Sequence, residues 1–130
     1  MNSSPVFYIC KKCGNIIYMV HSSGPVPFCC GEEMTLLKPN TVDAAQEKHV
    51  PVVTVSGSIV NVKVGSVPHP MLPEHHIEWI FLETKKGIQQ KLLPLDGPAE
   101  AVFALTGDDK VIRAYEYCNL HGLWMSEAKS

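Results

Sequence analysis

Val60-Asn61-Val62-Lys63-Val64 alternates apolar and polar residues with a period of two, the signature of a strand that buries one face and wets the other. From Val50 onward the same signal recurs in short runs. Ile77, Trp79 and Phe81 mark one face of a second strand, and Leu92-Leu93 falls in a third after the Lys86-Gly87 turn. Ala101 to Thr106 and Val111 to Tyr117 flank a further turn, Gly107-Asp108-Asp109-Lys110. Short strands parted by turn signals, with no convincing amphipathic helix, predict a mainly β chain whose larger part is an antiparallel sandwich. Upstream, Lys38-Pro39-Asn40-Thr41-Val42-Asp43 reads as a boundary, and Asp43 to Lys48 as a single helical turn.

Ahead of that boundary stand four of the five cysteines, as Cys10-Lys11-Lys12-Cys13 and Cys29-Cys30. Between them lie a strand-like run, Ile16 to Val20, and the turn-rich Ser22-Ser23-Gly24-Pro25. A head this small cannot rest on a hydrophobic core alone, so a bound metal is expected to do much of its folding. Gly14 and Gly31 each follow a cysteine, where glycine lets backbone amides turn towards sulfur. Four thiolates can surround one ion tetrahedrally, and a CxxC pair some distance before a second pair is a common structural-zinc pattern. The second pair here is adjacent, a spacing that resembles desulforedoxin and its FeS4 centre. From spacing alone iron and zinc both stand, with a vicinal disulfide as a further alternative; the second ligand set favours iron.

That second set is gathered from the other end of the chain. Cys118-Asn119-Leu120-His121 offers a thiolate and an imidazole three residues apart. Lys48-His49-Val50-Pro51 and the stretch from His69 to His75 offer three more imidazoles. Four histidines and one cysteine are too nitrogen-rich for a structural zinc finger and too poor in carboxylate for calcium or magnesium. They suit a redox-active first-row metal, iron first. A single histidine is more often structural than ligating; the weight comes from five candidates at loop-like junctions. His76, next to His75, is expected to point away, and His21 to be exposed in a turn. Glu47 and Lys48 read by default as a solvated loop, but beside a metal they would supply a carboxylate and a local positive charge.

The 130 residues allow one ordinary core and a small module, and 45% hydrophobic with 18% charged residues is ordinary for a globular protein. A net charge of −2 offers no basic field, so nucleic acid is not an expected partner. Met1-Asn2-Ser3-Ser4-Pro5 lacks a basic region followed by an apolar stretch, and no apolar run is long enough to span a bilayer. Five cysteines grouped for metal ligation predict a reducing, cytoplasmic setting.

With these residues in place the whole chain resembles the desulfoferrodoxin family, two-iron superoxide reductases. The phrases that carry the likeness are Cys10-Lys11-Lys12-Cys13-Gly14, Cys29-Cys30-Gly31, Glu47-Lys48-His49-Val50-Pro51, Gly65 to Met71, His75 to Ile80 and Glu116 to Gly122. The resemblance implies a desulforedoxin-like FeS4 domain over residues 1–37 and a neelaredoxin-like catalytic domain over residues 38–130 with an immunoglobulin-like sandwich fold. It implies two irons, one held by Cys10, Cys13, Cys29 and Cys30. The other would have His49, His69, His75 and His121 in its equatorial plane, Cys118 axial and the sixth position open. It further implies reduction of superoxide to hydrogen peroxide with Lys48 and Glu47 taking part, a rubredoxin-like electron donor, and a homodimer. Leu72-Pro73 stands where many relatives carry acidic residues, which changes the rim and not the ligands, and His76 replaces a usual aromatic residue. The competing readings are an iron electron carrier without substrate turnover, a superoxide dismutase, and a zinc-ribbon interaction module. The last leaves the histidines unexplained, and a thiolate lowers the iron potential in the wrong direction for the dismutase.

Overall fold

A computed structural model describes residues 4–128 and divides the chain into two compact units between Lys38 and Pro39. In the first unit, β1 (Phe7–Ile9) pairs antiparallel with β2 (Ile16–Tyr18). The two-residue strands β3 (Phe28–Cys29) and β4 (Glu32–Glu33) form a small hairpin, and β5 (Thr35–Leu36) adds to the other edge of β1. Cys30 and Gly31, at φ +54° and +78°, are consecutive left-handed residues that turn this hairpin tightly. Only Phe7, Cys10 and Met34 are buried among the hydrophobic residues described in this unit.

The second unit opens with one helical turn, α1 (Gln46–His49), later in the chain than the predicted Asp43–Lys48. Seven strands follow: β6 (Pro51–Ser56), β7 (Ile59–Val64), β8 (Ile77–Thr84), β9 (Ile88–Leu92), β10 (Glu100–Ala104), β11 (Val111–Cys118) and β12 (Gly122–Glu127). They form two antiparallel sheets, β10-β7-β6 and β12-β11-β8-β9. The alternation that opens the sequence reading is realised in β7, where Val60, Val62 and Val64 are fully buried. Opposite them Ile80, Leu82, Ala114 and Cys118 complete a core shared by both sheets, so the expected sandwich is present.

One strand face departs from expectation. Ile77 does not share a face with Trp79 and Phe81; it joins Ile80 and Leu82 in the core. The cause is a bulge: Tyr117 pairs with Trp79 but Cys118 pairs with Ile77, leaving Glu78 as an extra residue. One extra residue reverses the side-chain phase beyond it. Trp79, Phe81, Tyr115 and Tyr117 lie on the reverse face, where Trp79 stacks on Tyr117 at 5.8 Å and Phe81 meets Tyr115 edge-on at 6.0 Å.

A single helical turn has no stability of its own, so α1 is held from outside. Val67 N–H donates to the Glu47 carbonyl at 2.8 Å, and Ser66 Oγ to the same carbonyl at 3.3 Å. Gly65 passes so close that a Cβ built on it would stand 2.6 Å from Glu47 O and 3.0 Å from Lys48 C. Both contacts are to backbone, which cannot swing aside. Gly65→Ala is therefore expected to push the His49 turn away and to cost about 1–3 kcal/mol. Thermal unfolding together with metal content of the second unit measures it. Gly107→Ala is the control, because a Cβ there meets nothing within 4 Å.

Candidate metal centres

In the first unit the four cysteines come together, with their sulfurs all within 4.8 Å of one another. Cys13 Sγ lies 3.6 Å from Cys29 Sγ, and Cys29 Sγ 3.9 Å from Cys30 Sγ. A tetrahedral ion with metal–sulfur bonds of about 2.3 Å requires sulfur–sulfur edges of about 3.8 Å. The sulfurs thus already describe the coordination shell, and all are free thiols, which removes the vicinal-disulfide alternative. Around them Cys13 N–H points at Cys10 Sγ at 3.5 Å and Asn15 Nδ2 at Cys29 Sγ at 3.8 Å. The Cys13 backbone N–H pulls the Cys10 thiol down to about 6, whereas hydrogen bonds from Cys13 and Cys10 push Cys30 up to about 12. Clustered thiols cannot all ionise unless a cation neutralises them.

The second group is assembled from four loops and strand ends. His49 ends α1, His69 lies in the loop after β7, His75 precedes β8, Cys118 ends β11, and His121 sits in the turn to β12. Ring centroids run His49–His69 4.7 Å, His69–His75 4.6 Å, His75–His121 5.1 Å and His121–His49 4.9 Å, with the diagonal His49–His75 longer at 6.4 Å. Four imidazoles therefore form a square. Cys118 Sγ approaches two of its corners, His69 Nε2 at 3.6 Å and His121 Nδ1 at 3.9 Å.

The nitrogens that face inward are decided by backbone carbonyls. His49 Nδ1 lies 2.7 Å from Ala45 O, and His69 Nδ1 2.7 Å from Pro70 O. A carbonyl only accepts, so both Nδ1 atoms carry the proton and both Nε2 atoms present lone pairs. Yet those two Nε2 atoms face each other at 3.2 Å, an arrangement no hydrogen bond can satisfy. His121 turns its Nδ1 inward, 3.1 Å from His49 Nε2. His75 Nε2 is buried without any hydrogen-bond partner. Nitrogens about 2.1 Å from one ion and at right angles to each other stand about 3.0 Å apart. A cation at the middle of the square satisfies every one of these groups at once.

Electrostatics agree with that reading. Burial holds His69 down to about 4 and lowers His49 and His75 as well, with Lys48 adding a smaller push on the latter two. All three imidazoles are thus kept neutral, the form that ligates. Burial raises the Cys118 thiol, while the Leu120 and His121 backbone N–H groups pull the other way. A thiolate there needs a positive neighbour.

The remaining sequence candidates are also placed. Glu47 and Lys48 are exposed on α1 beside His49. The His76 ring turns to the Leu72 carbonyl at 2.8 Å and stays outside the group, and His21 is exposed. Two supporting residues escaped the sequence reading. Trp124 stacks on His49 at 5.0 Å while its Nε1 donates to the His121 carbonyl at 3.0 Å. Asn119 hydrogen-bonds to the segment that carries His75. Their signal was only proximity to candidate ligands in Cys118 to Trp124, which does not distinguish a supporting residue from a core one.

Known proteins are similar to this chain in sequence and in fold. The desulfoferrodoxins of Syntrophotalea carbinolica and Nitratidesulfovibrio vulgaris are each 49% identical to the chain, over 92% and 93% of it and 94% of their own lengths. The crystal structure of the superoxide reductase from Treponema pallidum superposes with a TM-score of 0.82 at 49% identity, covering 96% of this chain and all of that one. The desulfoferrodoxin family profile matches residues 41–127, the stretch that contains the whole histidine–cysteine group. With that match and relatives similar along nearly its full length, the chain belongs to the desulfoferrodoxin family.

Proposed function

We propose that this chain is a superoxide reductase, reducing superoxide to hydrogen peroxide at an iron held by His49, His69, His75, His121 and Cys118. The observation that carries this reading is the square of imidazoles with inward lone pairs, a buried unpartnered His75 Nε2, and a single thiol beside it. The name of the similar Treponema pallidum protein supports the same activity. Iron held by these five residues would supply the one electron that, together with two protons, converts superoxide to hydrogen peroxide.

The chain's own residues set the charge for this step. Burial keeps His49, His69 and His75 neutral and Cys118 is the sole anionic ligand of the set, so a ferrous centre there would carry a net charge of +1. The Leu120 and His121 N–H groups stabilise the Cys118 thiolate, which would donate electron density to a bound metal. Lys48 extends the positive potential to the surface, where it attracts the anionic substrate and passes protons through solvent. Glu47, on the same exposed turn, would supply a carboxylate to the metal when no substrate anion is bound. A second iron would be held by Cys10, Cys13, Cys29 and Cys30, with residues 1–37 as its domain and residues 38–130 as the catalytic one. A rubredoxin-like protein returns the electron, and the protein works as a cytoplasmic homodimer. No helix among the described residues is long and apolar enough to cross a membrane.

Product stoichiometry tests the proposal. Pre-reduced protein mixed with superoxide should yield one peroxide per superoxide consumed and no dioxygen. Peroxide accompanied by equimolar dioxygen would mean dismutation instead, and no reaction would leave only an electron carrier. Lys48→Ala should slow the bimolecular step roughly two- to tenfold at low ionic strength and flatten its salt dependence. Iron content should not change. A wild-type rate and salt profile, followed by stopped-flow absorbance, would return Lys48 to a solvated loop.

A further inference from the structure

We infer that Asn119 is a positioning residue that locks the His75 loop to the Cys118–His121 loop, so that one side chain sets the placement of His75 relative to the thiolate. The inference rests on reading the histidine–cysteine group as a metal centre, and it assigns a task to a residue that touches neither metal nor substrate.

The evidence is a ladder of three hydrogen bonds around a single histidine. Asn119 Oδ1 accepts the His76 N–H at 2.9 Å, and Asn119 Nδ2 donates to the Glu74 carbonyl at 3.1 Å. The Asn119 N–H donates to the His76 carbonyl at 3.1 Å. The two side-chain bonds therefore grip the backbone on either side of His75. Each amide atom faces a group of the opposite kind, oxygen to N–H and nitrogen to C=O, so the assignment of the amide is fixed by its partners.

His75 needs such a grip more than its neighbours. The rings of His49 and His69 are oriented by the Ala45 and Pro70 carbonyls, and His121 is fixed through its own carbonyl by Trp124. Among the described residues, no carbonyl orients the His75 ring in that way. Its backbone is tied locally only to Leu72, by a reciprocal pair at 2.9 and 3.0 Å within the same loop. That pair shapes the loop but does not tie it to the sandwich. Asn119 does, because Cys118 ends β11 immediately before it. The same residue leads directly into the Leu120 and His121 amides that hydrogen-bond to Cys118, so its side chain fixes the His75 loop against the segment that carries the thiolate. Serine or alanine cannot span the gap between the two loops, and a longer glutamine places the amide one bond too far out.

Asn119→Ala in the full chain tests this, read by metal binding and spectroscopy and not by turnover alone. Its affinity for ferrous iron or cobalt(II) at the histidine–cysteine centre should fall about tenfold, the lower end for loss of an outer-shell partner. The thiolate-to-metal charge-transfer band should shift and broaden, and the His76 amide should lose hydrogen-exchange protection in the metal-free protein. In a His75→Ala background, Asn119→Ala should weaken binding little further, because the ligand it positions is gone. Unchanged affinity and an unchanged band, or full additivity with His75→Ala, would overturn the inference. A role confined to stability would lower the unfolding temperature and leave the band alone, which also overturns it. If the alanine variant fails to fold, Asn119→Leu, of similar volume but without either hydrogen bond, carries the same expectations. None of these readouts requires superoxide, so a wild-type protein that failed to reduce superoxide would refute the proposed activity without touching the result for Asn119.

Discussion

Cys118→Ser is expected to abolish the thiolate-to-iron charge-transfer band and to reduce superoxide turnover on the order of 100-fold or more. The effect should exceed the roughly 10–100-fold that outer-shell changes cost, because it removes the only anionic ligand of the set. Serine leaves the packing nearly intact: Cys118 is completely buried at the end of β11, and the Leu120 and His121 N–H groups can still find an oxygen there. The loss is thus chemical and not structural. A neutral hydroxyl cannot match the charge or the polarisability of sulfur, so the potential of the metal and its donation to substrate change together. The four-cysteine centre provides an internal control, since its own absorption should persist in the same sample. Visible spectra of the oxidised protein and rapid-mixing kinetics measure both quantities. Retention of the band with near-normal turnover would place the thiolate elsewhere.

Cys13→Ser should have the second-largest effect, confined to the first unit. With only Phe7, Cys10 and Met34 buried, that unit has too small a core to offset the entropy of ordering its strands. Metal binding in such modules contributes on the order of 10 kcal/mol to folding. Removing one of four ligands should therefore unfold the first unit, visible as lost amide protection in β1, β2 and β5 and loss of the four-sulfur absorption. The sandwich, with its own core of Val60, Val62, Val64, Ile80 and Leu82, should stay folded and active. Full loss of superoxide reduction would show that the two units do not act independently, and full protection of β1 would show that the metal is dispensable for the fold.

Much of this protein is legible from neighbours along the chain. The period-two alternation at Val60–Val64 identifies a half-buried strand because side chains alternate faces in every strand, whatever it packs against. The residue types of both metal groups are equally local: thiols in a CxxC and a vicinal pair, imidazoles beside prolines and turns. What neighbours cannot encode is phase and direction. Ile77 reaches the core only because β11 pairs across a bulge at Glu78, a decision made by a strand more than thirty residues away. The partition of the strands into sheets of three and four likewise follows from which edges find partners.

The same division holds inside the histidine–cysteine group. Sequence supplies four imidazoles but not which nitrogen of each faces inward. His49 and His69 present Nε2 because their Nδ1–H groups donate to the Ala45 and Pro70 carbonyls, whereas His121 presents Nδ1. The Gly65 contact with the Glu47 carbonyl and the Asn119 ladder to Glu74 and His76 join segments 18 or more residues apart. Residue type and local periodicity are properties of the chain and were determined by the sequence itself. Ring orientation, bulge phase and close backbone approach depend on hydrogen-bond partners and on excluded volume supplied by distant segments, and only the tertiary structure brings those within reach.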